Sequence, residues 1–440
     1  MLNPIVAIVG RPNVGKSTLF NQLVGGRISI IDDTPGVTRD RIYADTEWLG
    51  KKITLVDTGG IAAQSEDELI SRVREQADVA IETAESVIFL VDGKEGITPE
   101  DTEVAHILRK SQKPVILAVN KIDAPHEEDM LYEFYNLGVG NPISISASHK
   151  RGLGDLLDAV IEHLTFGEGE EADEDVIKIA VLGKPNVGKS SIVNNLLGEE
   201  RVIVSNIPGT TRDAVDTPFE IDGQRYLIID TAGIRKKSRV SQGLERYSVI
   251  RALAAIRRCD VALLVIDATE EVTEQDTKIG GLIHEEGKGC ILVMNKWDLV
   301  EKGTNTMSRY RERLKKDLAF MEYAPSIFTS ARTGRRIDKM LDMVKEVYEN
   351  CIFRISTGLL NDLLTDAIAV TEPPSKKGRR LKIYYGTQVS VRPPTFVLFV
   401  NDPDLMHFSY LRYLENYFRK SFRLEGTPIR TFVRPKTKDS

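Results

Sequence analysis

The sequence predicts an α/β protein in three parts. Two successive domains each have a mostly parallel sheet with helices on both faces, and a smaller α+β domain follows them. Three observations carry this expectation. The chain repeats a set of short motifs at an offset of 173 residues. Within each copy, short Val/Ile/Leu runs alternate with longer amphipathic stretches, the pattern of a parallel sheet with crossover helices. Near Cys351 both the pattern and the charge balance change. A chain of 440 residues accommodates three domains of roughly 150 residues each.

The repeat is the strongest of the three. Gly10-Arg-Pro-Asn-Val-Gly-Lys-Ser17 returns as Gly183-Lys-Pro-Asn-Val-Gly-Lys-Ser190, and Pro35-Gly-Val-Thr-Arg-Asp40 as Pro208-Gly-Thr-Thr-Arg-Asp213. Asp57-Thr-Gly-Gly60 returns as Asp230-Thr-Ala-Gly233, Asn120-Lys-Ile-Asp123 as Asn295-Lys-Trp-Asp298, and Ser146-Ala147 as Ser330-Ala331. Motifs recurring in the same order mark a duplicated domain, and the period is far too long for a solenoid.

The expected strands of the first copy are Ile5–Val9, Ile53–Asp57, Val87–Asp92, Val115–Asn120 and Pro142–Ser146. In the second they are Ile177–Leu182, Tyr226–Asp230, Val261–Asp267, Cys290–Asn295 and Ser326–Ser330. Ligands of such sheets sit beyond the carboxyl ends of the strands, where the motifs fall. The expected boundaries are residues 1–165, an acidic linker at 166–175, residues 176–350, and residues 351–440. The linker is nearly free of apolar side chains and reads as flexible and self-repelling, with an acidic interaction tract as the alternative.

Composition narrows the setting. No apolar run approaches the roughly 18 residues of a membrane span. The N-terminus enters a strand without a basic flank or cleavage site, so no signal peptide is expected and the cytoplasm is the expected location. Cys259, Cys290 and Cys351 share no metal-ligand spacing and read as buried free thiols. The net charge of −6 divides unevenly: residues 351–440 hold 15 Lys and Arg against 8 Asp and Glu, a net +7, which leaves −13 for the rest. A basic tail on an acidic body suits a polyanionic partner.

Each glycine-rich segment follows an expected strand and opens an expected helix, the context of a phosphate-binding P-loop. In the first site Gly10, Arg11, Pro12, Asn13, Val14, Gly15, Lys16, Ser17 and Thr18 form the loop and first turn. In the second they are Gly183, Lys184, Pro185, Asn186, Val187, Gly188, Lys189, Ser190 and Ser191. Backbone N–H groups converge on phosphates there, Lys16 and Lys189 reach the β- and γ-phosphates, and Ser17 and Ser190 bind Mg²⁺. Asp57 and Asp230 end hydrophobic strands, where an acid orients the magnesium shell. The loops Thr58-Gly59-Gly60-Ile61 and Thr231-Ala232-Gly233-Ile234 follow them, with Gly60 and Gly233 offering an N–H to the γ-phosphate. Thr38 and Thr211 complete the Mg²⁺ shell only while that phosphate is present, which defines a switch. Lys16, Thr38, Lys189 and Thr211 are the expected catalytic residues.

Base identity rests on Asn120-Lys121-x-Asp123 and Asn295-Lys296-x-Asp298. A carboxylate there accepts from the two N–H donors on guanine's edge, a pair that adenine lacks. The lysine stem covers the base, and Ser146-Ala147 or Ser330-Ala331 places a backbone N–H near guanine O6. The expected ligands are therefore GTP or GDP with Mg²⁺.

These motifs resemble those of translation-factor-related GTPases, and the tandem pair resembles the Der (EngA) family over essentially the whole chain. That resemblance implies two P-loop G domains plus a C-terminal α+β KH-like domain, GTP hydrolysis at two sites, and a role with rRNA in assembly of the large ribosomal subunit. It also implies a K⁺ ion held by Asn13 or Asn186, because relatives with asparagine at this position use potassium to offset charge. Where Ras-like sites carry a water-orienting glutamine, this chain has Ile61 and Ile234. An arginine from a partner is the rival to potassium. A GTP-switched RNA-particle binding protein with little intrinsic hydrolysis is the alternative function. A tRNA-modification GTPase is disfavoured, because no modification site remains in the chain. Nothing in the sequence requires more than a monomer.

The segments after Gly60 and Gly233 differ in charge: Ile61–Glu68 is acidic, whereas Ile234–Arg239 is basic. The second run reads either as a solvated face or as a grip on phosphate backbone. Beyond Cys351, a helix at Ser356–Thr371, strands at Leu381–Val389 and Thr395–Asn401, a helix at His407–Phe422 and a strand at Thr427–Val433 give the α-β-β-α-β order of a KH-like fold. The Gly-x-x-Gly loop that clamps nucleic-acid backbone is missing. Lys376-Lys-Gly-Arg-Arg380 suits phosphate contact. Tyr384, Tyr385, Tyr410, Tyr413 and Tyr417 are expected in the core rather than as stacking platforms.

Overall fold

The computed structural model describes residues 3–24, 43–58, 77–78, 80–111, 113–164, 176–198, 216–230, 245–376 and 378–436. The first sheet contains β1 (Ile5–Val9), β2 (Tyr43–Trp48), β3 (Lys51–Asp57), β4 (Ser86–Asp92), β5 (Val115–Asn120) and β6 (Ile143–Ser144), in the order β2-β3-β1-β4-β5-β6. Every pairing is parallel except β2 with β3. Alternation along the strands explains the layers. Val6, Ile8, Ile88 and Leu90 pack with the helices Lys16–Val24 and Leu153–Glu162, whereas Ala7, Val9, Val87 and Phe89 pack with the helix Pro99–Lys110.

The second sheet repeats this plan with β7 (Val176–Leu182), β8 (Thr217–Ile221), β9 (Gln224–Ile229), β10 (Val261–Asp267), β11 (Gly289–Asn295) and β12 (Ser326–Phe328), in the order β8-β9-β7-β10-β11-β12. Its antiparallel pair is β8 with β9. The helices that follow β4 and β10 start on the same device: Thr98 and Thr273 form capping boxes with Asp101 and Asp276. Replacing either threonine by alanine costs about 1 kcal/mol.

Ten strand expectations hold with shifts at their ends. The antiparallel edges β2 and β8 were not expected, because Tyr-Ala-Asp-Thr-Glu-Trp and Thr-Pro-Phe-Glu-Ile are only partly buried and lack an apolar run. The strand expected at Pro142–Ser146 shortens to Ile143–Ser144, and that at Ser326–Ser330 to Ser326–Phe328.

The C-terminal part has the helix Thr357–Val370, a small hairpin of β13 (Ser375–Lys376) and β14 (Arg379–Arg380), then β15 (Ile383–Val391), β16 (Pro394–Val400), the helix Phe408–Phe422 and β17 (Arg430–Pro435). Apart from the hairpin this is the expected α-β-β-α-β order. β16 lies between β15, antiparallel to it, and β17, parallel to it. Leu360, Leu364, Phe396, Leu398, Leu414 and Phe418 form its core.

The chain divides into two compact units, Met1–Ala172 with Ser238–Ala254, and Asp173–Lys237 with Ala255–Ser440. Within the second unit the C-terminal part docks on the start of β11. The Cys290 N–H donates to Gly426 O at 2.8 Å, and the Gly426 N–H donates to Tyr323 O at 2.8 Å. Gly426 has φ +81°, and a Cβ there would lie 2.3 Å from Val347 Cγ2, so only glycine fits. The three cysteines are buried and unbridged, and burial raises all three thiols, Cys259 to about 12 and Cys351 to about 11. Among the described residues no helix is long and apolar enough to cross a membrane.

Candidate nucleotide sites

Both phosphate loops are held by contacts that their sequences do not announce. Gly15 and Gly188 have φ near +100°, and a Cβ at either would lie 2.4 or 2.2 Å from the amide nitrogen of Asn120 or Asn295. Asn13 (φ 66°) and Asn186 (φ 64°) take the left-handed conformation that asparagine tolerates best among residues with a side chain. Val14 and Val187 are buried beneath the loops. Pro12, Thr18, Pro185 and Ser191 lie on the loops and first turns as expected.

The Lys16 ammonium donates to Gly10 O and Arg11 O at 2.6 Å each. Lys189 does the same to Gly183 O and Lys184 O at 2.7 Å. Burial pushes both amines down to about 8. A charge so weakly solvated is strongly attracted to an anion in the loop. Arg11 anchors the first loop through Glu95 at 2.8 Å and Asp101 at 3.4 Å, and Lys184 pairs with Glu270 in the second.

Ser17 Oγ donates to Asp57 Oδ2 at 2.8 Å, which brings two expected magnesium ligands together. Hard oxygen donors at that spacing fit Mg²⁺. The Thr58 hydroxyl donates to Ile8 O at 2.5 Å and ties the end of β3 to β1. The second site shows a further support behind its aspartate. Asp230 has φ 56°, and its N–H donates to Asp216 Oδ1 at 2.9 Å. The other Asp216 oxygen accepts from Arg258, at the end of the helix Glu245–Arg258. The strand registers align Asp216 with Tyr43 and Arg258 with Thr83, so the first copy carries a tyrosine and a threonine where the second has this acid and arginine. Asp216 and Arg258 escaped the sequence reading because they have no counterpart in the repeat.

The base-reading ends match closely. Asn120 Nδ2 donates to Val14 O at 2.8 Å while its Oδ1 accepts the Ala147 N–H at 2.9 Å. Asn295 joins Val187 O at 2.7 Å and the Ala331 N–H at 2.9 Å in the same way. These asparagines brace the phosphate loop against the Ser-Ala loop. The alanine N–H expected to face guanine O6 is already bonded to that brace. Lys121 pairs with Asp92, and Lys296 with Asp267 at 2.5 Å; these two acids at the strand ends were not foreseen. Asp123 accepts from Lys94 at 2.5 Å and from Ser146 Oγ at 2.7 Å, which hold its carboxyl below the usual range. Asp298 is lowered chiefly by a hydrogen bond from Ser330. Lys94 has Thr269 at the corresponding place, and that hydroxyl donates to Asp267 at 2.7 Å.

Thr38, Gly59, Gly60, Ile61, Thr211, Thr231, Ala232, Gly233 and Ile234 lie outside the described residues. So do the contrasting runs after Gly60 and Gly233 and the acidic linker. Among the described residues no group of three or more His, Cys, Asp or Glu gathers as a metal site. In the C-terminal part, Arg379 pairs with Asp402 at 3.0 Å and Arg380 with Glu372 at 2.7 Å, so the basic cluster is partly neutralised. Tyr410 is buried and Tyr413 partly so; their hydroxyls bond Thr371 O and Ala367 O, as core residues do. Tyr384 is 42% exposed, against expectation.

Comparison with known proteins agrees with this geometry. A family model described as "50S ribosome-binding GTPase" matches residues 5–121 and 178–296. Another, "KH-domain-like of EngA bacterial GTPase enzymes, C-terminal", matches residues 354–434. GTPase Der of Acetivibrio thermocellus is 58% identical over 440 residues, covering 100% of both chains. GTPase Der of Alkaliphilus metalliredigens is 57% identical over 437 residues, 99% of each. Among solved structures, the FeoB G domain from Methanococcus jannaschii is 27% identical with a TM-score of 0.28, covering 37% of this chain and 98% of that one.

Proposed function

The chain belongs to the GTPase Der family and hydrolyses GTP, and from that premise we propose that it loads GTP at two separate sites while acting in assembly of the large ribosomal subunit. The observation that carries the two-site reading is the matched brace: Asn120 between Val14 and Ala147, and Asn295 between Val187 and Ala331. In each copy this buried amide ties the phosphate loop to the loop at the base end, so that the two ends of one nucleotide site are positioned together.

In this reading Lys16 and Lys189 exchange their carbonyl partners for phosphate oxygens, and Asp123 and Asp298 accept guanine's two N–H donors. Ser17 with Asp57, and Ser190 with Asp230, hold Mg²⁺, which supplies the charge that a transferring phosphoryl group needs. Thr38 and Thr211 join that shell in the GTP state. Asn13 and Asn186 hold K⁺ in place of a water-orienting glutamine. Replacing K⁺ by Na⁺ at equal ionic strength then lowers turnover, measured by phosphate release; equal turnover in both salts removes the ion.

We place the domains at 1–165, 176–350 and 351–440, joined by the linker 166–175. The two sheets and the span of the KH-like family model support these limits. The partner is the large subunit and its rRNA, met in the cytoplasm by a monomer. The family description and the net +7 of residues 351–440 favour it. The deciding experiment measures bound nucleotide and turnover for the parent chain, Lys16→Ala and Lys189→Ala, with and without large subunits. Two equivalents of GTP per chain, one for each variant, and a response to subunits are expected. One equivalent in the parent chain, or ATP bound as well as GTP, overturns the reading.

A further inference from the structure

The sheet β15–β16–β17 has one face against its two helices and another that carries rings and cations. Leu398 and Phe396 belong to the core, and a Cβ on Gly386 would lie 2.8 Å from Leu364 Cδ1 and 2.9 Å from Leu398 Cδ2. Their strand neighbours therefore point the other way. Register places Tyr385 beside Phe399 and Phe399 beside Arg434 in one row, with Thr387, Val397 and Phe432 in the next. The Tyr385 and Phe399 rings stack, with centroids 4.5 Å apart and planes 18° from parallel. Phe432 is 53% exposed and Tyr385 and Phe399 are half-buried, whereas Val397 between them is buried. Lys436 Nζ lies 5.1 Å from the Tyr384 ring centroid and 6.0 Å from that of Tyr385, and Lys382 Nζ lies 5.3 Å from Tyr384. None of the three strands carries an Asp or Glu.

We propose that the exposed part of this face, the Tyr385–Phe399–Arg434 row together with Phe432, binds single-stranded RNA, with Tyr385, Phe399 and Phe432 meeting unpaired bases and Lys382, Arg434 and Lys436 meeting the backbone. The proposal deepens the rRNA reading above and rests on it. Three features select the occupant. Tyr385, Phe399 and Phe432 lie together on neighbouring strands, and it is such a grouping of rings at the surface, rather than a single exposed one, that marks a binding surface. Cations clustered beside those rings, with no acidic side chain on the strands, complement a polyanion. Bases offer π-faces and phosphates together, and a duplex hides the faces inside its own stack. A strand lying across this sheet needs no Gly-x-x-Gly clamp, so the face answers how a KH-like domain without that loop can still hold RNA.

The test uses the full-length chain and a fluorescent 12-nucleotide single-stranded RNA of mixed sequence, with the same sequence as a duplex for comparison. Phe432→Ala is expected to weaken single-strand binding about tenfold and duplex binding less than about twofold, while Phe432→Trp retains it. Arg434→Ala and Lys436→Ala should each reduce the slope of log affinity against log salt by about one. GTP turnover, unchanged in all four variants, shows that each is folded. Equal single-strand affinity for Phe432→Ala and the parent chain overturns the proposal, as does an equal loss on the duplex or no single-strand binding by the parent chain. Sedimentation of the parent chain with large subunits separates the two readings. If it sediments with subunits and Phe432→Ala keeps full single-strand affinity, only this inference falls; if it binds single strands but never sediments with subunits, the ribosomal reading falls instead.

Discussion

The two G domains share a fold, a strand order and a bracing asparagine, yet the residues standing behind their magnesium-site aspartates differ. In the first, Asp57 is bonded by Ser17 from the adjoining loop. In the second, Asp230 is held through its backbone by Asp216, and Asp216 by Arg258. Duplication has kept the asparagine brace and the acid that pairs each base-reading lysine, while the residues behind Asp57 and Asp230 have diverged. In the second site these contacts run from Asp230 to Arg258, at the end of a long helix, where the first site has Tyr43 and Thr83.

The shared part should respond most strongly. Asn120→Ala or Asn295→Ala leaves a buried carbonyl and a buried N–H unpaired, at a cost of about 2–4 kcal/mol. Nucleotide affinity at the altered site should fall about a hundredfold or more, by titration with a fluorescent GDP analogue, and by a similar factor in both copies. A loss confined to one copy would mean that the matched geometry conceals unequal function.

The unshared part should sharpen the contrast. Arg258→Ala frees the Asp216 carboxylate, whose side chain is 5% exposed, and should cost about tenfold in GTP affinity at the second site alone. Any change at the first site would show that the sites are not independent. A pH series adds a control common to both. Burial lowers Lys16 and Lys189 to about 8, below the ordinary 10.5 of lysine, so the folded protein binds fewer protons than the unfolded chain between those values. Unfolding free energy gains from these groups as pH rises through that window, whereas GTP, which needs the charged amines, should bind more weakly above pH 8. Calorimetry at pH 8.5 in two buffers of different ionisation heat should register proton uptake on binding. The smallest effect belongs to Lys94. Its pair with Asp123 is exposed and screened by solvent, so Lys94→Thr, which copies the second site, should tighten GDP at the first site by only about twofold.

What the sequence made legible follows from this division. Residues that touch nucleotide come in short motifs, and the repeat at 173 exposed them twice over. Their supports come from elsewhere in the chain: Asp92 for Lys121, Asp216 for Asp230, Lys94 for Asp123. No local pattern marks such partners, because the fold alone brings them close. The edge strands β2 and β8 were hidden for a related reason, since half-buried strands do not need an apolar run. The aromatic residues of the C-terminal part divided: Tyr410 lies in the core, but Tyr384 stands in the open beside two lysines.

The seam at Gly426 has a practical meaning for anyone dissecting the molecule. β11 begins on a carbonyl borrowed from the C-terminal part and ends six residues later at the asparagine that braces the base end of the second site. A chain cut after Asn350 would leave the Cys290 amide without an acceptor and strip Gly426 from Val347. Such a fragment is a wounded second G domain rather than an isolated one, and its nucleotide chemistry would report the wound.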